Sequence, residues 1–141
     1  MSPPAGRRLR IHTDGAARGN PGPAGAAALL YDEAGECVAE AARYLGVATN
    51  NVAEYQGLLL GLDRARELGA SEVEVVTDSE LLARQWNGEY RVKHPALKQL
   101  FGMAREAARR FERVVVRHVR RGENAAADAA ANRAIDSGAG A

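Results

Sequence analysis

The sequence predicts an α/β fold in which a five-stranded mixed sheet carries helices on its faces. Apolar residues recur at strand spacing up to about residue 45 and then at helical spacing from Val52, and short strands and helices alternate after that. The predicted element order is β-β-β-α-β-α-α-β-α. A helical crossover between the third and fourth strands favours parallel pairing of the later strands.

The first three predicted strands are joined by short connections. Residues 7–14 alternate apolar with polar side chains, which predicts a strand that ends at Asp14. A loop rich in Gly and Pro, residues 19–23, separates it from an apolar strand over 24–31. After a polar turn, residues 36–45 resume as a strand. Such short connections favour an antiparallel meander.

An apolar stripe at helical spacing begins at Val52 and predicts an amphipathic helix that Gly69 ends. Asn51 and Glu54 match a capping box with Asn in place of Ser or Thr. The remaining predicted elements are a strand over 72–77, helices over 79–86 and 95–111, a strand over 113–119, and a helix capped by Asn124 that runs to about Ile135.

The length of 141 residues fits one domain, which we expect over residues 8–136, and the net charge of +1 says little about partners. We expect residues 1–7 to form an N-terminal tail and 137–141 a flexible tail or the start of a linker. The single cysteine, Cys37, excludes an internal disulfide and a cysteine-based zinc site. Neither a membrane-spanning run of ~18 to 20 apolar residues nor a signal peptide is present, so we expect a cytoplasmic protein that binds no membrane. We also expect it to be a monomer.

Arginines are unevenly distributed along the chain. Seven of them follow one another closely in the last third: Arg105, Arg109, Arg110, Arg113, Arg117, Arg120 and Arg121. Four more lie near the start: Arg7, Arg8, Arg10 and Arg18. Such clusters are typical of a surface that faces phosphates, and equally of a solvated face in a protein rich in arginine.

Four acidic residues lie where a site could form. Asp14 and Asp78 end predicted strands, and ligand sites in α/β sheets form outside the carboxyl ends of strands. Glu54 and Asp128 lie near helix starts. Singly, each has a structural explanation as a turn residue, a helix cap, a capping-box partner or a helix-dipole partner. Together they offer hard oxygen ligands that suit Mg²⁺ or Mn²⁺.

Four segments carry a family resemblance: IHTDGAARGNPGP at 11–23, TNNVAE at 49–54, VTDS at 76–79 and NAAAD at 124–128. In this order and spacing, over residues 8–136, the chain resembles type 1 ribonuclease H, in a compact archaeal and bacterial branch of that family. The resemblance implies the ribonuclease H-like fold. It also implies an endonuclease that cuts the RNA strand of an RNA/DNA hybrid and leaves 3′-hydroxyl and 5′-phosphate ends, with double-stranded RNA as a second candidate substrate.

The resemblance also implies a role for each carboxylate. Asp14 would bridge two Mg²⁺ ions, for which Mn²⁺ is the expected substitute. Glu54 and Asp78 would hold the ion on the leaving-group side, and Asp128 the ion that positions the attacking water. Four crowded carboxylates repel one another, so we expect raised carboxyl pKa values in the metal-free protein.

Recognition of the substrate is implied to lie in other residues. Backbone and side-chain groups near the two motif loops would read 2′-hydroxyls and base edges, while Thr49 would contact a DNA phosphate. The residues expected to touch substrate are Gly15, Asn20, Thr49, Asn50, Asn51 and Ser79.

The chain departs from many relatives in two loops. Residues 120–124, which precede the last aspartate, contain no histidine, and Arg121 sits where the compact branch places a substituting arginine. A phosphate contact or a solvated charge remains the alternative for Arg121, and we expect His118 to be structural. Only residues 87–94 separate two helices, which leaves no room for a basic protrusion.

Two alternatives to an active hybrid-cleaving enzyme stay open. One is a related metal-dependent nuclease or strand-transfer enzyme on the same fold. The presence of the TNN segment and the absence of long inserts both disfavour it. The other is a binding module with a decayed site, which the presence of all four carboxylates disfavours. The large apolar residues late in the chain are expected to fill the core: Trp86, Phe101, Met103 and Phe111.

Overall fold

The computed structural model describes residues 7–139, and its elements follow the predicted order. The strands are β1 (Arg8–Ala17), β2 (Gly22–Tyr31), β3 (Cys37–Ala48), β4 (Glu72–Thr77) and β5 (Arg113–His118). The helices are α1 (Asn50–Glu67), α2 (Glu80–Trp86), α3 (Pro95–Ala108) and α4 (Ala125–Ala139), with a 3₁₀ turn over Arg121–Asn124. Of the predicted terminal tails, residues 1–6 and 140–141 lie outside the described residues.

The five strands form one mixed sheet in the order β3-β2-β1-β4-β5. The first three strands are antiparallel neighbours, whereas β4 is parallel to β1 and β5 is parallel to β4. The predicted meander and the predicted parallel pairing are both confirmed. The helical crossover after β3 brings β4 alongside β1, and the crossover after β4 brings β5 alongside β4, so β1 lies at the centre of the sheet.

Helices cover both faces of the sheet. Because successive side chains of a strand point to opposite faces, Ala28 of β2 packs with α1–α3 while its neighbour Ala27 packs against α4. The larger core lies on the α1 side and includes Ile11, Leu58 and Leu62, each at most 1% exposed. The second contact is made of small residues, which lets α4 lie close to the sheet.

The end of β1 differs from its prediction. The strand continues past Asp14 to Ala17, because Gly15, Ala16 and Ala17 go on pairing with β2. Pairing with β4, however, stops at His12. Asp14 therefore lies just beyond the carboxyl end of the parallel ladder, although it is not at the end of its strand.

Helix starts were the least accurate part of the prediction. The N-cap of α1 is Thr49, whose hydroxyl accepts from the N–H of Val52, so the capping box expected at Asn51 and Glu54 is wrong. Ser79, rather than Asp78, caps α2. Asn124 ends the 3₁₀ turn and does not cap α4. These caps leave the carboxylates of Glu54 and Asp78 available for other contacts.

Two helices also end at other residues than predicted. Helix α3 ends at Ala108 rather than at 111, and α4 continues to Ala139, so the domain boundary expected at 136 falls inside a helix. Trp86 is buried as expected, but Met103 is 51% exposed and does not belong to the core. Among the helices of residues 7–139, none combines the length and the apolar character needed to cross a membrane.

Candidate metal-binding active site

The acidic residues meet where the parallel strands β1 and β4 end. Asp14 lies two residues after His12, the last residue of β1 that pairs with β4, and Asp78 comes directly after Thr77, the last residue of β4. Parallel neighbours end at the same edge of a sheet, so the backbone alone brings these two side chains together. Asp14 is 4% exposed, and Asp78 is half-buried.

Glu54 reaches the same place from the second turn of α1. Its carboxylate accepts a hydrogen bond from the backbone N–H of Gly15. The helix can lie this close because Gly15 has no side chain: a Cβ there would lie 2.1 Å from the backbone carbon of Ala53. Similarly, a Cβ on Gly57 would lie 2.6 Å from the carbonyl oxygen of Asp14. Two glycines therefore set the distance between α1 and β1.

Three of the four predicted ligands form a tight group. Asp14, Glu54 and Asp78 each offer one carboxylate oxygen, and these oxygens all lie within 4.8 Å of one another. Asp128, in the first turn of α4, is the fourth carboxylate, and it contributes to the raised pKa of both Asp14 and Asp78. Because the other three all act on the pKa of Asp14, Asp14 is the central member of the four, which we call the carboxylate cluster.

Burial and mutual repulsion make the carboxylate cluster hold protons. Burial, followed by the charge of Glu54, strongly raises the pKa of Asp14. Burial also raises the pKa of Glu54 to about 7, and burial is the first cause of the raised pKa of Asp78. The raised carboxyl pKa values expected from the sequence are confirmed. Such a group binds a divalent cation favourably, because the cation replaces the protons and removes the repulsion.

Arg121 forms an ion pair with Asp78 of the cluster. Its Nε lies 4.0 Å from Oδ2 of Asp78, while 85% of its side chain stays exposed. Its charge lowers the pKa of Asp78 and Glu54, against the larger effect of burial. His118, expected to be structural, is instead exposed at the end of β5, and its charge also lowers the pKa of Asp78.

Of the residues expected to touch substrate, Asn20, Thr49, Asn50 and Asn51 lie at the start of α1, whereas Ser79 lies at the start of α2. Oδ1 of Asn20 accepts a hydrogen bond from the backbone N–H of Asn50, at 3.1 Å, which joins the β1–β2 loop to the helix. Asn51 is exposed on the first turn. Thr49 and Ser79 both use their hydroxyls to cap helices. The two asparagines of α1 and Asn20 thus form one exposed polar surface beside the carboxylate cluster.

Asn124 has a role that the sequence did not indicate. Its Nδ2 donates to the carbonyl oxygen of Thr13 at 2.9 Å, and its Oδ1 lies 3.1 Å from Nδ1 of His12. Since the amide nitrogen faces Thr13, His12 is the donor in the second hydrogen bond. The side chain is 1% exposed. It ties the turn before α4 to β1, and no periodic pattern could have shown this contact between distant segments.

The arginines of the two clusters are divided between the sheet and the helical side. Arg8 and Arg10 pair with Glu72 and Glu74 across the sheet, and Arg117 also pairs with Glu74. Other arginines belong to the helical side. There the guanidinium of Arg105 lies 3.9 Å from the ring centre of Trp86. Most of these charges therefore have partners within the fold.

Comparison with known proteins agrees with this geometry. Residues 12–134 match the family model described as reverse transcriptase-like. The chain is 39% identical over 136 residues to ribonuclease HI of Halobacterium salinarum, covering 96% of this chain and 68% of that protein. It is also 45% identical over 133 residues to the bifunctional protein Rv2228c of Mycobacterium tuberculosis. This second match covers 94% of the chain but only 36% of the mycobacterial protein.

Solved structures show the same likeness in three dimensions. The N-terminal RNase H domain of Rv2228c, solved as a fusion with maltose-binding protein, matches with a TM-score of 0.91 and 44% identity, over 94% of this chain and 96% of that one. LC11-RNase H1, solved in complex with an RNA/DNA hybrid, matches with a TM-score of 0.88 and 42% identity, over 92% of this chain and 98% of that one. The chain therefore belongs to the type 1 ribonuclease H family of metal-dependent nucleases.

Proposed function

We propose that the protein is an endoribonuclease that hydrolyses the RNA strand of RNA/DNA hybrids and leaves 3′-hydroxyl and 5′-phosphate ends. The observation that carries this proposal is the carboxylate cluster at the carboxyl end of β1 and β4, beside an exposed polar surface. The hybrid bound to LC11-RNase H1, whose fold this chain shares, supports the choice of substrate. The proposed catalytic domain comprises residues 8–139, three residues more than the sequence suggested.

The carboxylate cluster fits a hard divalent cation. The oxygens of Asp14, Glu54 and Asp78 lie within 4.8 Å of one another, and these three carboxyl groups have raised pKa values, as expected where a cation is to replace protons. We assign Asp14, Glu54, Asp78 and Asp128 as the ligands of two Mg²⁺ ions, with Mn²⁺ as a substitute. When bound, the ions supply Lewis-acid stabilisation of the phosphate and activation of water.

The protein's own groups hold this site in shape. The N–H of Gly15 donates to Glu54 and fixes the direction of that carboxylate. Asn124 fixes the turn before α4, and through it the start of the helix that carries Asp128. Arg121 has an exposed side chain whose Nε lies 4.0 Å from Oδ2 of Asp78. At this position its guanidinium would contact the scissile phosphate, or the 5′-phosphate of the product as it dissociates. We propose that it speeds turnover in place of the loop histidine.

The exposed polar surface at the start of α1 selects RNA over DNA. Asn20, Asn50 and Asn51 present amides that both donate and accept hydrogen bonds, as reading a 2′-hydroxyl or a base edge requires. The N-cap role of Thr49 places its part-buried hydroxyl at a helix N-terminus, which suits a phosphate of the DNA strand. Gly15 would approach the substrate through its backbone, and Ser79 through its hydroxyl. A monomeric state, a cytoplasmic location and cleavage of double-stranded RNA are part of the same proposal.

A cleavage assay tests the proposal. End-labelled RNA/DNA hybrid, double-stranded RNA, double-stranded DNA and single-stranded RNA are each incubated with Mg²⁺, Mn²⁺ or EDTA. Metal-dependent cutting of the RNA strand of the hybrid is the expected result, and added cutting of double-stranded RNA would widen the substrate class. Asp78→Asn should be inactive, whereas Asp63→Asn, the same change at an exposed site on α1, should cleave like the wild type. If the folded wild type cut none of the substrates, the proposal would be overturned in favour of a binding module.

A further inference from the structure

The guanidinium of Arg18 joins the β1–β2 loop to α4. Its Nη1 lies 2.6 Å from Oδ1 of Asp136, and its Nη2 donates, at 3.4 Å each, to the backbone oxygen and to Oδ1 of Asn132. All three acceptors belong to the last three turns of α4. Arg18 itself is the first residue after β1. One side chain thus connects the start of the β1–β2 loop to two positions on α4.

The contact with Arg18 determines which way the amide of Asn132 faces. A guanidinium has only donors, so it can meet only the oxygen of the amide. The amide nitrogen is then turned toward Asp128, one helical turn earlier. Nδ2 of Asn132 donates to the backbone oxygen of Asp128 at 3.0 Å and reaches its carboxylate Oδ1 at 3.5 Å. Asn132 therefore contacts the carboxylate of Asp128, a member of the cluster.

The other end of the same network is the loop that carries Asn20. The backbone N–H of Arg18 donates to the carbonyl oxygen of Pro23 at 2.8 Å, which closes the loop. Within the loop, Asn20 accepts from the N–H of Asn50. A continuous set of contacts therefore runs from the start of α1, through the loop and Arg18, to the carboxylate of Asp128.

We propose that Arg18 and Asn132 are positioning residues for Asp128, and that Arg18 couples the position of this carboxylate to the loop that faces the substrate. The proposal rests on the assignment of Asp128 as a metal ligand. A carboxylate on the first turn of a helix has several rotamers open to it. The Asn132 amide selects one of them, and the Arg18 guanidinium selects the orientation of the amide. Groups that orient metal ligands in this way typically change metal affinity or activity by about 10- to 100-fold when removed.

The test compares Arg18→Ala and Asn132→Ala with Arg133→Ala. Arg133 is a matched control, since it also lies on α4 and forms an exposed ion pair, with Glu40 of β3 at 3.1 Å. Alanine is favoured in helices, so neither α4 variant endangers folding. Two readouts are taken for each protein: Mg²⁺ binding to the metal-free protein by calorimetry, and the Mg²⁺ concentration that gives half-maximal cleavage of the hybrid.

Arg18→Ala and Asn132→Ala are expected to weaken Mg²⁺ binding, and to raise the half-maximal Mg²⁺ concentration, by about tenfold. The KM for hybrid at saturating Mg²⁺ should not change in Asn132→Ala, and Arg133→Ala should match the wild type in every readout. Unchanged Mg²⁺ binding in both test variants would overturn the proposal. So would a raised KM for hybrid in Arg18→Ala with normal Mg²⁺ binding, because Arg18 would then touch nucleic acid. Since calorimetry needs no substrate, failure of the wild type to cleave would count against the proposed function alone.

Discussion

The carboxylate of Glu54 accepts a hydrogen bond from the backbone N–H of Gly15, so a side chain of α1 is fixed against the strand that carries Asp14. The contact requires a residue without a side chain on the strand, since the backbone of Ala53 occupies the space that a Cβ would need. It also holds a carboxylate in a buried place where, without a cation, it repels its neighbours. The site is therefore built at a cost to the metal-free fold, and its stability should respond to pH and to metal.

Metal-free protein should lose stability as the pH rises. In the unfolded chain Asp14 and Glu54 release their protons near their ordinary pKa values of 3.8 and 4.5, while the folded protein keeps them to higher pH, with Glu54 at about 7. The folded state thus binds more protons, and the free energy of unfolding falls from pH 4.5 through about 7 and continues to fall above it. Thermal unfolding midpoints in EDTA between about pH 5 and about pH 8 measure this.

Two comparisons make the origin of this pH dependence visible. Saturating Mg²⁺ should remove most of the fall, because the cation takes the place of the protons. Asp14→Asn should flatten the profile in EDTA and raise the midpoint at neutral pH, since it removes the central carboxyl group of the cluster. Equal slopes for Asp14→Asn and the wild type would show that other groups cause the dependence.

Gly15→Ala should destabilise the protein by about 1–3 kcal/mol, because the new Cβ displaces the start of α1. Cleavage should be lost with it, as Glu54 moves away from the cluster. The matched control is Gly102→Ala on α3, where nothing lies within 4 Å of a Cβ. Urea unfolding should show this control to be more stable than the wild type by about 0.5–1 kcal/mol. Similar changes in both variants would mean that α1 does not depend on contact at Gly15.

Asn124→Ala should reduce the free energy of unfolding by about 1–3 kcal/mol, since it leaves the buried carbonyl group of Thr13 without its donor. Cleavage should fall as well, because the turn before α4 loses its tie to β1. Asn87→Ala is the control, as Asn87 makes the same kind of bond, to the backbone oxygen of Val116 at 3.3 Å, from an exposed position. Denaturant titrations that gave equal losses would contradict a special role for Asn124.

Arg121→Ala should slow cleavage by about tenfold, which corresponds to about 1.4 kcal/mol in the barrier. Mg²⁺ binding should persist, because the carboxylates stay and a positive charge 4.0 Å from Asp78 is removed. Arg109→Ala removes another highly exposed arginine, which pairs with Glu106 on α3, and should cleave at the wild-type rate. Single-turnover and steady-state rates would separate a chemical step from product release, and unchanged rates in Arg121→Ala would make this residue a bystander.

The sequence by itself determined the element order, the mixed sheet and the identity of the acidic residues. Strand and helix periods are local properties of the chain, and β4 was predicted with the bounds that it has. The TDG, TNN and TDS segments pointed to the cluster through the family resemblance. Each is a short stretch that can be recognised without knowing what it packs against. Local patterns failed at Asn51 and Asn124, where two interpretations of one side chain compete and only its surroundings decide.

Tertiary structure decided what each of those side chains touches. Glu54 contacts Gly15 instead of its own helix end, Asn124 bonds to β1, and Arg18 reaches across to α4, over separations of 39, 111 and 114 positions in the chain. Contacts at such distances follow from strand register and from how closely helices approach the sheet. Both depend on the packing of the whole domain, and no periodic or local pattern in the sequence encodes them.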